Sequence, residues 1–323
     1  MRSFCNILII TFLILATTGC TPIEAYQAII SSDMTPPMVT GGGATEQRCI
    51  RIICNEEITI TESSFNLSEE VGITEFIALG NSVEIWTTDA LIPGRQYTLE
   101  GILTDLSGNS VLLTMTIYGW NPDPPVLIIN EFTTKGSKRH PDAIELLVVE
   151  GGNTAGITLY DGISDDYRQR CILPSVEVVK GDYLVIHCSD IPEEFEGIPD
   201  EHQFHMIDPM GLSGNNGAIS LYSSAQGDVI DAVVYSNRSS SSDSDYQGFG
   251  SSSLLYKVGQ LYKFGAWDSL IPEGAISTGS MTATRSSCRN DPYSDTDSAE
   301  DWHTVPTSGA SFGENNGNEI YLK

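Results

Sequence analysis

Three groups of side chains in this sequence have types and spacings that chemistry can use. Glu201, His202, His205 and Asp208 set two imidazoles three residues apart, and on one turn of helix such a pair could share a zinc ion. The alternative is a pair of ordinary loop histidines. Asp243 and Asp245, and further on Asp291, Asp295, Asp297, Glu300 and Asp301, gather carboxylates of the kind calcium takes as oxygen ligands; a solvated acidic loop is the alternative there. Glu131 and Glu145 fall on successive strand-like segments and invite comparison with the carboxylate pair of glycoside hydrolysis, yet no pocket motif accompanies them. The sequence has no GxSxG elbow, no GxxxxGK phosphate loop, no HExxH and no GxGxxG after a strand, the motifs that would organise acyl transfer, phosphate binding or zinc hydrolysis. The expectation is a protein that is not an enzyme and has no cofactor, with calcium at the acidic loops as the one alternative.

The segments that carry these residues alternate apolar and polar positions with a period of two, which marks half-buried strands. Ile58-Thr59-Ile60, Val83 to Trp86, Tyr97 to Leu99 and Leu113 to Ile117 do so before residue 120, punctuated by Pro93-Gly94 and Ser107-Gly108-Asn109. Asn121-Pro122-Asp123-Pro124-Pro125 then makes a stiff linker, because proline fixes φ and offers no donor to a sheet. Beyond it, Val126 to Phe132, Ala143 to Val149, Tyr183 to Ile186, Ala218 to Tyr222 and Val229 to Tyr235 are strand-length, the last two joined by a Ser223–Asp228 turn. Residues 236–253, rich in serine and glycine, are expected to form a mobile surface insertion. The fold class is thus all-β, with two antiparallel sandwiches.

The chain opens on Arg2 and an apolar run from Ile7 to Ala16, too short for the roughly 20 residues of a membrane span and shaped like a signal peptide. Thr17-Thr18-Gly19-Cys20 resembles the lipobox of bacterial lipoproteins, which implies cleavage after residue 19 and acylation of Cys20. The family's leucine three residues before the cysteine is replaced here by Thr17. Residues 20–35 follow as a tether, broken by Pro36-Pro37 and Gly41-Gly42-Gly43. In the exported part, Cys49, Cys54, Cys171, Cys188 and Cys288 are odd in number, so one at least stays unpaired; Cys49 and Cys54 either close a small disulfide loop or remain two buried thiols.

Two further resemblances rest on particular residues. Ile129-Asn130-Glu131, Ile144-Glu145-Leu146, the strand around Asp231, then Arg285, Asp301-Trp302 and Pro306 to Ala310 with Asn315 resemble, in order, the lamin-tail domain over about 125–318. That resemblance implies an immunoglobulin-like sandwich with no catalytic residues to carry over. Pro93 to Leu99 followed by Thr104-Asp105-Leu106-Ser107-Gly108-Asn109 is similar to the last hairpin of bacterial Ig-like domains, over 36–120.

With 43 Asp plus Glu against 16 Lys plus Arg, the net charge of −27 repels phosphate backbones, and nucleic acid is not an expected partner. The expected role is a non-enzymatic cell-envelope lipoprotein that touches the membrane through its lipid and presents sandwich surfaces to a protein or a polysaccharide. Thr21, where an aspartate would favour inner-membrane retention, directs that expectation to the outer membrane. The alternative is an envelope hydrolase or metal-dependent enzyme built from the acidic loops of the second domain.

Overall fold

The computed structural model describes residues 33–60, 65–68, 71–189, 197–291 and 294–322. The expected signal peptide, Cys20 and the tether up to residue 32 lie outside them. No helix among the described residues is long and apolar enough to cross a membrane.

The fold is all-β with one α-helix. Its first eight strands are β1 (Val39–Glu46), β2 (Cys49–Cys54), β3 (Ile58–Thr59), β4 (Asn66–Leu67), β5 (Ile73–Leu79), β6 (Ser82–Thr87), β7 (Gln96–Asp105) and β8 (Ser110–Tyr118). They form one sheet in the order β1-β2-β6-β5 and a second in which β7 is paired by β3, β4 and β8. Period-two alternation is clearest in β7, where Tyr97, Leu99, Leu103 and Asp105 point inward and Gln96, Glu100 and Ile102 outward. The inner faces meet in a core of Ile50, Ile52, Val83, Ile85, Leu99, Leu103 and Ile117.

Two expectations are corrected here. Gly41-Gly42-Gly43 does not break the chain but sits inside β1, opposite Ile53, Ile52 and Arg51; a well-anchored neighbour overrides weak strand propensity. Cys49 and Cys54 are free thiols. They occupy the two ends of extended strand β2, which at about 3.4 Å per residue separates them far beyond disulfide reach.

After the prolines come β9 (Val126–Phe132), β10 (Ala143–Glu150), β11 (Gly152–Asn153), β12 (Thr158–Ile163), β13 (Asp166–Ile172), β14 (Glu177–Val178), β15 (Tyr183–His187), β16 (Gln203–His205), β17 (Asn216–Tyr222), β18 (Val229–Ser236), helix α1 (Ser252–Phe264), β19 (Ile276–Ser277), β20 (Ser287–Arg289) and β21 (Trp302–Thr304). A six-stranded sheet, β16-β15-β10-β9-β20-β21, faces a five-stranded one, β13-β12-β17-β18-β19. Pairing is antiparallel except at β15/β16 and β18/β19, which are parallel. Between the sheets lies a separate core that includes Leu127, Ile129, Leu146, Ile219, Leu221 and Val233.

Helix α1 is the element that strand patterning misses. Leu254, Val258 and Leu261 are its buried stripe, the Ser251 hydroxyl accepts from Leu254 N, and Gly265 ends it in the left-handed region at φ 76°, a combination of cap, stripe and stop that specifies a helix locally.

The serine-rich stretch before it is ordered, against expectation. Its low apolar content is offset by polar anchoring. The Asp243 carboxylate accepts from Tyr246 N (2.7 Å) and Gly250 N (3.1 Å) and pairs with Arg238 (2.7 Å), which donates to the Gly248 carbonyl. Phe249 is fully buried. Asp243→Ala is expected to release this loop, read as faster limited proteolysis within 237–251 at an unchanged cleavage rate elsewhere.

Candidate functional site

Of the residues singled out by the sequence, Asn130, Glu131 and Glu145 come together on the outer face of the six-stranded sheet. The register places Glu145 opposite Glu131, Glu131 opposite Cys288, and Cys288 opposite His303, so two carboxylates, a thiol and an imidazole form one row across β10, β9, β20 and β21. A register shift between Glu145 and Leu146 leaves Asn130 without a cross-strand partner; such a bulge re-aims side chains.

The chain's own C-terminal segment covers this row. Glu131 accepts from the Ser286 hydroxyl, from Ser311 N at 3.0 Å and from the Ser311 hydroxyl at 2.8 Å. Glu145 accepts from Asn130 Nδ2 at 2.7 Å and from Gly313 N. Asn130 and Asn316 exchange reciprocal amide hydrogen bonds of 2.9 Å. His303 has the Asn290 side-chain oxygen 2.8 Å from Nδ1, the Gly317 carbonyl 2.9 Å from Nε2 and Cys288 Sγ 3.6 Å from Nε2. Glu131, Glu145 and Cys288 are fully buried. Burial raises the Glu131 carboxyl, with Ser286 and Ser311 pulling it partway back. Burial, and then the neighbouring charge of Glu131, raise Glu145 well above its ordinary range. Burial and both carboxylates push the Cys288 thiol up, so it is held protonated and unreactive.

On the inner side of the same strands, Asp231 accepts from Ile129 N (2.6 Å) and pairs with Arg289 (3.0 Å). Arg289 also donates to the Ile129 carbonyl (2.7 Å), pairs with Asp295 (2.9 Å) and lies 4.9 Å from the centre of the Trp302 ring. Trp302 packs edge-on against Phe132. Burial pushes the Asp231 carboxyl up to about 7 against the pull of Arg289. The sequence pointed to Arg285 as the closing arginine, but Arg285 stacks over Tyr321 near the C-terminus and the buried role falls to Arg289. Their placement separates the two: Arg285 lies in the turn before β20, whereas Arg289 lies on β20 as the register partner of Trp302, a pairing visible only once β20 and β21 are placed.

The other candidates do not assemble. His202 ends a single 3-10 turn and His205 lies on β16, so the two do not share a helical turn; His205 stacks on His187 instead. Asp243 is taken up by Arg238, Asp295 by Arg289, and Asp301 accepts from Thr296. Among the described residues only Asp33, Glu56 and Asp105 bring three carboxylates within 4.8 Å of one another, and Asp105 is already bonded by Asn109.

Sequence reasoning also gave no sign of the cleft of about 500 Å³ where the two sandwiches meet. The cleft is lined by Gly42 to Thr45 of β1, by Trp120 and Asn121, and by the β17–β18 turn. The junction is tight. Gly94, at φ 70°, leaves no room for a Cβ against Gly156 N, and Asn121 Nδ2 donates to the carbonyls of Asn153 (2.6 Å) and Ala155 (3.1 Å).

A family model described as TP_1001_2nd, protein second domain, matches residues 125–304. The chain belongs to that family. The matched span of this second domain includes Asn130, Glu131, Glu145, Asp231, Arg289 and Trp302, and it ends before the segment that covers the carboxylates. A Treponema pallidum (strain Nichols) protein described as uncharacterized is 27% identical over 157 residues, 45% of this chain and 40% of the relative; the chain therefore matches well under half of that protein's length. Among solved structures, the N-terminal part of the bacterial S-layer protein SbsC aligns at 12% identity over 61% of this chain and 42% of its own, with a TM-score of 0.27. SbsC domains 1–6 align at 9% identity over 61% and 40%, with the same TM-score.

Proposed function

We propose that this chain is a non-enzymatic lipoprotein of the bacterial cell envelope, held by an acylated Cys20 in the outer membrane and binding a protein or polysaccharide through its sandwiches. On this reading the first sandwich is of the bacterial Ig-like kind and the second of the lamin-tail kind. The observation that carries it is the state of the residues able to do chemistry. Glu131, Glu145, Asp231 and Cys288 are fully buried, and the three carboxylates spend their oxygens on holding β9, β10, β20 and the C-terminal segment together. A buried carboxylate that accepts from its own backbone is architecture, since a general acid or base must reach substrate. What the surface offers is a cleft between the two modules, a usual place for ligand binding.

The test is mass spectrometry of the full chain recovered from membranes of a bacterial host, beside Cys20→Ala. The expected result is a mature protein that begins at a lipid-modified Cys20 in the detergent-extracted fraction, while the variant loses the modification and leaves the membrane, because stable anchoring takes more than one acyl chain. A wild-type protein recovered soluble and unmodified would remove the anchor from the reading.

A further inference from the structure

We propose that the cleft between the two sandwiches is a binding site for a neutral oligosaccharide, with Trp120 as the surface on which a sugar ring stacks. The proposal rests on the binding-module reading above and names its ligand class.

Trp120 is 39% exposed, the only described tryptophan among the open apolar side chains. Its neighbours in the chain are hydrogen-bonded on both sides. Gly119 donates to the Arg95 carbonyl and accepts from Gly94 N, and a Cβ at Gly119 would collide with the Ile92 carbonyl. On the other side, the Asn121 side chain is fixed to Asn153 and Ala155. Exposed tryptophan area costs free energy that burial against a ligand recovers, and these contacts fix where the backbone presents the indole. A platform carried at a fixed place lowers the entropy lost on binding.

The lining residues suit a ligand that is apolar on its ring faces and hydroxylated around its edge. Thr45, Ser224, Gln226 and Asp228 supply hydroxyl, amide and carboxylate groups, and Gly43, where an added Cβ would meet nothing within 4 Å, lets a ligand approach the β1 backbone closely. The volume lies within the roughly 300–1,000 Å³ of small-ligand sites. Charge selects among sugars. The charged side chains lining the cleft are Arg51 and Asp228, Arg51 is already paired with Glu84, and the chain as a whole carries −27. An anionic polysaccharide would be repelled, whereas a neutral one meets donors and acceptors without a charge to desolvate. A peptide added to the β1 edge is the competing occupant, but Gly41 to Gly43 give it no side-chain pockets to read, and such augmentation takes its specificity from pockets.

The experiment is a titration of the full-length protein with chitohexaose, maltohexaose and mannohexaose, followed by tryptophan fluorescence and calorimetry, with polygalacturonate as the anionic probe. At least one neutral probe is expected to shift the fluorescence saturably, with Trp120→Ala weakening binding by about tenfold or more and Gln226→Ala by less. Both variants should keep the wild-type melting temperature and remain attached through Cys20, so failure of sugar binding is distinguishable from failure of the anchored-module reading. The proposal is overturned if none of the three neutral probes binds, if binding survives Trp120→Ala, or if only polygalacturonate binds.

Discussion

Replacing Arg289 with methionine is expected to cost the second sandwich about 3–5 kcal/mol, the range for removing one partner of a buried ion pair. Arg289 and Asp231 are each 1% exposed, and the guanidinium joins β9, β18 and the 294–295 loop through Ile129, Asp231, Ser294 and Asp295. Methionine fills much of the volume but leaves Asp231 with only the Ile129 N–H, so a buried carboxylate must either stay charged without compensation or bind a proton. Urea unfolding of the full chain, followed at Trp302 and Trp267, should show the loss in the transition of the second core, with the first core unaffected. Arg289→Met combined with Asp231→Leu should recover most of it, because removing both charges also removes the desolvation penalty. A loss below about 1 kcal/mol in the single variant would mean that the pair is not what holds these strands together.

Much of this arrangement was legible in the sequence, and what was not has a physical reason. The five strands read after the prolines are β9, β10, β15, β17 and β18, because each is an apolar run bounded by turn residues. The hairpin expected at 223–228 joins β17 to β18. Strands β12 and β13 escaped because Asp161 puts a charge in buried β12 while β13, with Arg168 and Gln169, is largely polar; such groups become strand residues only when Arg168 and Gln169 can reach Asp161. Glycine-rich β1 escaped for a related reason, since its pairing is dictated by β2. Asn130, Glu131 and Glu145 were singled out, but not what they hold. Ser311, Gly313 and Asn316 lie 168 to 186 residues further along the chain, and small polar residues of that kind carry no signal until a carboxylate is placed beneath them.

The second large effect is on pH dependence, and it runs opposite to ordinary acid denaturation. Glu131, Glu145, Asp142 and Asp161 are raised by burial, and Asp231 reaches about 7. A carboxyl whose folded pKa exceeds its unfolded value holds more protons in the folded state between the two. Its contribution is therefore complete below the unfolded value, near 4, and is lost as pH rises through the folded pKa. The carboxylates held low, Asp105, Asp166, Asp243 and Glu273, give up their contribution only below about pH 4. The melting temperature should thus rise as pH falls from 8 toward 5, then drop below 4. Relief of the −27 charge acts in the same direction, so a slope alone does not identify the buried pair. Glu145→Gln separates the two causes. The amide removes the repulsion from Glu131 at a net-charge change of a single unit, but it keeps only one of the two acceptors that Asn130 Nδ2 and Gly313 N use, a loss that is the same at every pH. The variant is therefore expected to lose less stability than the wild type between pH 5 and pH 8, by about 1 kcal/mol, and to show a flatter profile. An unchanged slope would mean that Glu145 is ionised at no net cost in the folded protein, its hydrogen bonds from Asn130 and Gly313 outweighing both burial and Glu131.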